Sequence, residues 1–180
     1  MTYIVDADDF CEDNNSLDVL TKIKKNNPNF KITLFTIPGR CSLRFLGTIK
    51  NIDWINIVPH GLLHDTNREC ETWDYKKCKS YITLVEAYGL ERAFKAPGWI
   101  ISDAMYQVLL EHNYWVADQI YNNERRPKEL RVYLLNKPGR LHYHIGNMGG
   151  TNKNEISIYA DYLSRLQGEF AFIKDVIGGQ

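Results

Sequence analysis

Ile55-Asn56-Ile57-Val58-Pro59-His60-Gly61-Leu62-Leu63-His64 is a strand-like run followed at once by two imidazoles four residues apart. Three of its first four residues are β-branched, as a pleated strand favours, and the histidines lie just past its end. If the turn after Pro59 is helical, both rings project from one face and can share a metal ion. Such a pair also arises by chance, so its meaning depends on what surrounds it. Upstream, the strand-like Tyr3–Asp6 runs out into Asp6-Ala7-Asp8-Asp9-Phe10. Adjacent carboxylates repel each other unless a cation or a proton separates them. A solvated acidic loop or a cap for the next helix is the plainer account, and it suits Glu12 and Asp13 better than Asp8 and Asp9. Two imidazoles and the Asp9 carboxylate would form a facial set with positions left open for water and substrate.

The rest of the chain repeats the pattern. Strand-like runs recur at Lys31–Ile37, Trp54–Val58, Ala93–Ala96, Trp115–Ala117, Arg131–Leu135, Leu141–Ile145 and Phe170–Ile173. Helical patterns between them cover Ser16–Lys25 behind a Ser16 cap, Trp73–Tyr88 closed by Gly89, Ser102–His112 and Glu155–Leu166. On the last, Ile156, Tyr159, Ala160, Leu163 and Leu166 share one stripe. Alternation of this kind predicts an α/β fold with a mainly parallel sheet or a barrel, in which functional residues gather at the carboxyl ends of the strands. No repeat or linker interrupts residues 1–180, so a single domain is expected, with an exposed loop over Asn122–Lys128.

Composition removes several classes of function. Lys plus Arg and Asp plus Glu both number 22, so the net charge is zero and no global field draws the chain to nucleic acid or to a membrane surface. The cluster Arg125, Arg126, Lys128 and Arg131 is broken by Glu124, Pro127 and Glu129, as a solvated loop would be. The opening MTYIVDADDF carries three aspartates where a signal peptide needs a basic start, and no run reaches the ~20 apolar residues that cross a bilayer. A soluble, cytoplasmic protein is the expectation. Cys11, Cys41, Cys70 and Cys78 form no CxxC pair, which leaves neither a zinc knuckle nor a redox motif.

Two later motifs complete the set. Lys95-Ala96-Pro97-Gly98-Trp99 follows a strand, with Pro fixing one backbone angle and Gly letting a peptide N–H approach a ligand closely; an ordinary loop reads the same way. Leu141-His142-Tyr143-His144 alternates as a strand does, so His142 and His144 share a face. His112 ends a helix, where a cation complements the dipole, and takes no catalytic role.

In chain order, Asp8-Asp9, His60-x-x-x-His64, Lys95-x-Pro97-Gly98-Trp99 and Leu141-x-x-His144 resemble the motifs of the polysaccharide deacetylase (NodB-homology, carbohydrate esterase family 4) family over roughly residues 4–146. The resemblance implies a distorted (β/α) barrel with fewer than the usual eight strands. It implies a divalent metal, most commonly zinc, held by Asp9, His60 and His64. Asp8 maps onto the general base, Lys95 onto the residue that orients it, and His144 onto the general acid, with His142 the alternative. Asp118 is the candidate carboxylate behind that acid, and the Gly98 N–H the candidate oxyanion donor. Three positions depart from the family pattern: Lys95 stands where Arg is usual, Phe10 where Gly is common, and Gly61 where Ser or Thr is. Lys keeps the charge and loses the planar fork.

The leading expectation is therefore removal of an acetyl group from an N-acetylated amino sugar or glycan, with Trp99, Tyr143 and Trp73 available to stack on sugar. An amidase acting on another small N-acyl compound, a silent carbohydrate-binding barrel and an accidental match in an unrelated α/β module are the alternatives. Nothing in the sequence bears on oligomeric state.

Overall fold

The computed structural model describes residues 1–119, 123–146 and 153–177. In chain order the elements are β1 (Thr2–Phe10), α1 (Leu17–Asn26), β2 (Ile32–Thr36), α2 (Leu43–Lys50), β3 (Ile55–Pro59), α3 (Tyr75–Ala87), β4 (Ala93–Phe94), α4 (Asp103–Glu111), β5 (Trp115–Asp118), β6 (Arg131–Leu134), β7 (Arg140–His144), α5 (Glu155–Ile158), α6 (Ala160–Arg165), β8 (Glu169–Ala171) and α7 (Ile173–Val176), with single 3-10 turns at Pro38–Arg40 and Pro97–Trp99. All strand pairings are parallel. One sheet runs β3-β2-β1-β7, and β8 pairs with the start of β1 on the edge whose later half takes β2, opposite β7. The other runs β4-β5-β6. A His60–Lys95 bridge joins them, with the Lys95 N–H donating to the Pro59 carbonyl at 3.1 Å. Eight described strands thus fill seven places around an incomplete barrel, because β2 and β8 share one edge of β1.

Period-two alternation sorts the side chains. Ile4, Phe35, Val58, Ala93, Trp115, Ala117 and Tyr133 pack together on the inner face, where Ile173 and Ile177 from the last helix join them. Val5, Ala7, Leu34, Ile57 and Val116 face outward, onto α1 to α4 through Leu20, Ile23, Leu46, Ile49, Ile82, Val85, Met105 and Leu109. The same parity carries Asp6 and Asp8 inward behind Ile4, Lys95 inward behind Ala93, and His142 and His144 inward on β7. The site is therefore a continuation of the barrel interior at the carboxyl ends of the strands.

Several local expectations change. Helix α2 has no counterpart in the sequence reading; Ser42 caps it, its Oγ accepting the Phe45 N–H at 3.1 Å. Ser16 does not cap α1, because its backbone is left-handed at φ 48°; the Asn15 carbonyl oxygen of the side chain accepts the Leu17 N–H instead. The helix expected over Glu155–Leu166 breaks at Tyr159, where Tyr159 is exposed while Ile156 and Leu163 are buried. The strand expected through Ile173 stops at Ala171 and α7 follows. Of the loop expected over Asn122–Lys128, Asn122 lies outside the described residues, and the remainder carries no helix or strand. Among the described residues no helix is long and apolar enough to cross a membrane.

Candidate metal centre and catalytic site

Neighbouring residues of a regular strand face opposite ways, yet Asp8 and Asp9 both turn inward. A bulge explains this. The β1–β2 register shifts between Ala7 and Phe10, and Asp9 takes the left-handed backbone at φ 67°. Beyond it the parity is reversed: Phe10, which unbroken alternation would send inward, packs in the outer layer with its ring 5.6 Å from Phe45. Of the five described non-glycine residues with positive φ, Asp9, His64 and Trp99 border the same cavity, so backbone strain concentrates at the site.

Asp9 Oδ1 lies 3.4 Å from His64 Nε2 and 3.7 Å from His60 Nε2, and all three side chains are buried. Burial, then the charge of Asp8, pushes the Asp9 carboxyl above its ordinary range. Burial likewise lowers the His60 imidazole to about 3, so that ring is neutral at physiological pH. His60 Nδ1 sits 3.0 Å from the Lys95 carbonyl, which can only accept, so Nδ1 carries the proton and Nε2 presents a lone pair toward Asp9. The spacings match the ~3.3–3.6 Å edges of a tetrahedron with metal bonds of ~2.0–2.2 Å. Two imidazole donors and one carboxylate that no described lysine or arginine contacts fit a divalent ion.

The turn carrying the two histidines is not helical. Gly61 and His64 are both left-handed, at φ 62° and 55°, and the ring centroids stand 5.0 Å apart. The Glu69 carboxylate closes the turn by accepting the N–H groups of Leu62, Leu63 and His64, each at 3.0 Å.

Asp8 is held differently. The Lys95 ammonium contacts both Asp8 oxygens, so a point charge engages the whole carboxylate without a planar fork. Lys95 is 1% exposed, with Nζ 4.1 Å from the Trp99 ring centroid and 4.7 Å from that of Phe35. Burial raises the Asp8 carboxyl, but Lys95, then His142 and His60, outweigh it and hold it well below the usual carboxylate range. Asp8 is thus ionised wherever the protein is folded at ordinary pH.

On β7, His142 stands in register with Asp6 and His144 with Asp8. His142 Nδ1 pairs with the buried Asp6, and its Nε2 lies 3.6 Å from Asp8 Oδ2. Desolvation and Lys95 work against protonation of His142, yet Asp8 and Asp6 prevail and its pKa is raised. His144 Nδ1 sits 2.9 Å from Glu155, whose carboxylate also accepts the His144 backbone N–H, and His144 Nε2 lies 3.8 Å from Asp8 Oδ2.

Asp118 does not back either imidazole. It forms a 2.7 Å ion pair with Arg126 at the end of β5, and the carboxylates behind the histidines are Asp6 and Glu155. Asp6 is legible in retrospect, two residues before Asp8 and so on its face; Glu155 and Glu69 carry no local signal. Gly98 and Trp99 border a cavity of about 170 Å³ with Asp8, Asp9 and the metal-type histidines. At Gly98 an added Cβ would fall 2.3 Å from the Asn67 carbonyl oxygen, so only glycine fits there. Tyr143 faces away from the histidines, its ring 5.3 Å from Tyr159 on the outer side of β7. Trp73 is buried against Tyr81 and offers no surface to a sugar.

No protein-family model and no curated protein matches the chain in sequence. Solved structures match it closely in fold. The family 4 acetyl xylan esterase of Clostridium thermocellum, solved with a cobalt ion, superposes over 99% of this chain and 91% of its own at 14% identity, with a TM-score of 0.63. The chitin deacetylase of the fungus Colletotrichum lindemuthianum superposes over 99% and 88% at 14% identity, with a TM-score of 0.62. A family 4 pseudoenzyme of Bacillus anthracis superposes over 98% and 65% at 13% identity, with a TM-score of 0.53.

Proposed function

On a chain with the fold of the family 4 carbohydrate esterases and deacetylases, we propose a divalent-metal-dependent hydrolase that removes the acetyl group from an N-acetylated amino sugar or glycan. The observation that carries the reading is the buried Asp9, His60 and His64 set beside a separately neutralised, ionised Asp8. These three would hold the ion, with zinc favoured by the two imidazoles and one carboxylate. When bound there, the ion polarises the acyl oxygen and acidifies the attacking water.

The chain's own residues supply the remainder. Asp8 takes the proton from that water, and Lys95 fixes the carboxylate in plane while keeping it charged. The Gly98 N–H, at the cavity wall, would donate to the developing oxyanion. His144, at the cavity wall, returns a proton from Nε2 to the leaving nitrogen, with Glu155 holding Nδ1. His142 competes for that role because Asp6 holds it in the same way. The cavity of about 170 Å³ suits an acyl group, so the sugar lies outside it, against the exposed side of Trp99.

A second reading, a silent carbohydrate-binding barrel, draws on the Lys95 ammonium, which engages both oxygens that the water needs, and on a pseudoenzyme among the fold's relatives. The test is metal content by mass spectrometry on wild type and the His60→Ala, His64→Ala variant, followed by acetate release from N-acetylglucosamine oligomers. About one ion per wild-type chain, none in the variant, and acetate released only by the former support the hydrolase. Metal without acetate favours the silent barrel, and no metal in either removes the mechanism.

A further inference from the structure

Both imidazoles of the proposed metal set sit on a turn that is neither helix nor strand, so something must fix their relative positions before an ion arrives. We propose that Glu69 is the positioning residue of the metal centre, its carboxylate seated in the His60–His64 turn so that the two rings converge in the metal-free protein. The inference rests on the metal reading of the site.

Three consecutive backbone N–H groups, from Leu62, Leu63 and His64, converge on this one carboxylate, the first and third on Oε2 and the second on Oε1. Amides pointing into one concavity form an anion nest, and without an acceptor all three would need other partners. The turn is shaped around its occupant. An added Cβ at Gly61 would fall 2.4 Å from Glu69 Oε2 and 2.7 Å from the Pro97 ring, so glycine at this position is what lets the carboxylate enter. This is the position at which the sequence departs from the Ser or Thr usual in the resembling family. His64 accepts a left-handed backbone as its N–H reaches Glu69, and that conformation directs the ring toward Asp9.

Glu69 is itself anchored. The next residue, Cys70, is fully buried, and its carbonyl accepts the Ser102 N–H at 3.1 Å. Trp73 packs on Tyr81, whose hydroxyl donates to the Gly61 carbonyl at 2.7 Å. One short segment therefore grips the turn from both sides, and a loop that merely needed stapling would not require its carboxylate to span three amides ending on a ligand residue. Partners of ligands that hold them in orientation typically change metal affinity by ~10–100-fold when removed.

The test uses the full chain, metal-free, with Zn²⁺ added against a chromophoric chelator, comparing wild type, Glu69→Gln and Gly61→Ala. Amide hydrogen exchange at Leu62, Leu63 and His64 is followed in the same proteins without metal. The expected result is faster exchange at those amides and Zn²⁺ affinity weakened ~10–100-fold in both variants, with far-UV circular dichroism unchanged. Gly61→Ala expels the carboxylate while leaving Glu69 in the chain, so it reports on the contact even if Glu69→Gln folds poorly. Affinity within twofold of wild type in a folded variant whose amides exchange faster would reduce Glu69 to a loop staple and overturn the proposal. Wild type that binds no Zn²⁺ overturns it together with the hydrolase reading, an outcome distinct from the first because it appears without any substitution.

Discussion

Lys95→Met removes the only ammonium among the described residues that touches Asp8 and keeps a side chain of similar length. Lys95 and Asp8 are 1% and 5% exposed, so water cannot take over the lost contact. Breaking a buried ion pair from one side typically costs about 3–5 kcal/mol, because a desolvated charge is left without its partner. The pH dependence identifies the cause. In wild type the Asp8 carboxyl is depressed, so its contribution is fully present above the ordinary value of 3.8 and disappears only as pH falls through the lower folded value. Without Lys95, burial, the strongest single influence on Asp8, is opposed only by His142 and His60, and the folded pKa is expected to rise above 3.8. Folding then favours the protonated acid, and stability falls as pH rises, by up to about 1.4 kcal/mol per pH unit. Asp9 contributes a decline of the same sign and also feels Lys95, so the variant that carries Asp8→Asn as well is what assigns the difference to Asp8. Urea unfolding of the metal-free proteins from about pH 4 to about pH 8 should show a gap that widens with pH. Adding Asp8→Asn to Lys95→Met should close most of it. A gap under about 1 kcal/mol at neutral pH, or one that Asp8→Asn leaves untouched, would refute the claim that Lys95 is the counter-charge of a buried carboxylate.

Asp9→Asn should abolish Zn²⁺ retention, read by metal content, and yet stabilise the metal-free protein at pH values above the ordinary carboxylate range, since the raised carboxyl costs stability as it ionises; thermal unfolding without metal at two pH values checks the second half, and an unchanged midpoint would count against the buried-charge argument. The two imidazoles are separable by paired substitutions followed through acetate release. His144→Ala with Glu155→Gln should lower kcat by roughly 10²-fold or more if His144 is the acid, and the same loss from His142→Ala with Asp6→Asn instead would reverse the assignment.

How much of this was legible depends on where each signal is stored. The strand and helix alternation is a local property of apolar spacing, and it led correctly to parallel strands with the motifs at their carboxyl ends. The residues of the acidic pair were legible, but their joint inward aim was not, since it needs a bulge at Asp9 that an aspartate does not advertise. The turn at Gly61 was hidden for a related reason. The spacing of two histidines leaves open whether their turn is helical, whereas the actual conformation depends on Glu69, a partner recognisable only in three dimensions. Asp118 was chosen for its place at a strand end, but an ion pair with Arg126 holds it. Asp6, at the correct parity on β1, was available to the period-two rule and supports His142.

The arrangement of cations explains why so many acidic groups can share one interior. Asp8, His142 and His144 form a second triad whose ligand atoms lie within 4.8 Å of one another, beside the Asp9, His60 and His64 set. Geometry alone would allow two ions. The Lys95 ammonium, however, already engages both oxygens of Asp8 and lies 3.4 Å from His142 Nε2, so it occupies the place a second cation would take. Asp9 has no such amine. In the proposed hydrolase the two adjacent carboxylates would therefore be neutralised by different means, one by a fixed side chain and one by an exchangeable ion. On the proposed mechanism that division would let Asp8 stay charged and near the ion without becoming its ligand, which is the condition a general base beside a metal must meet.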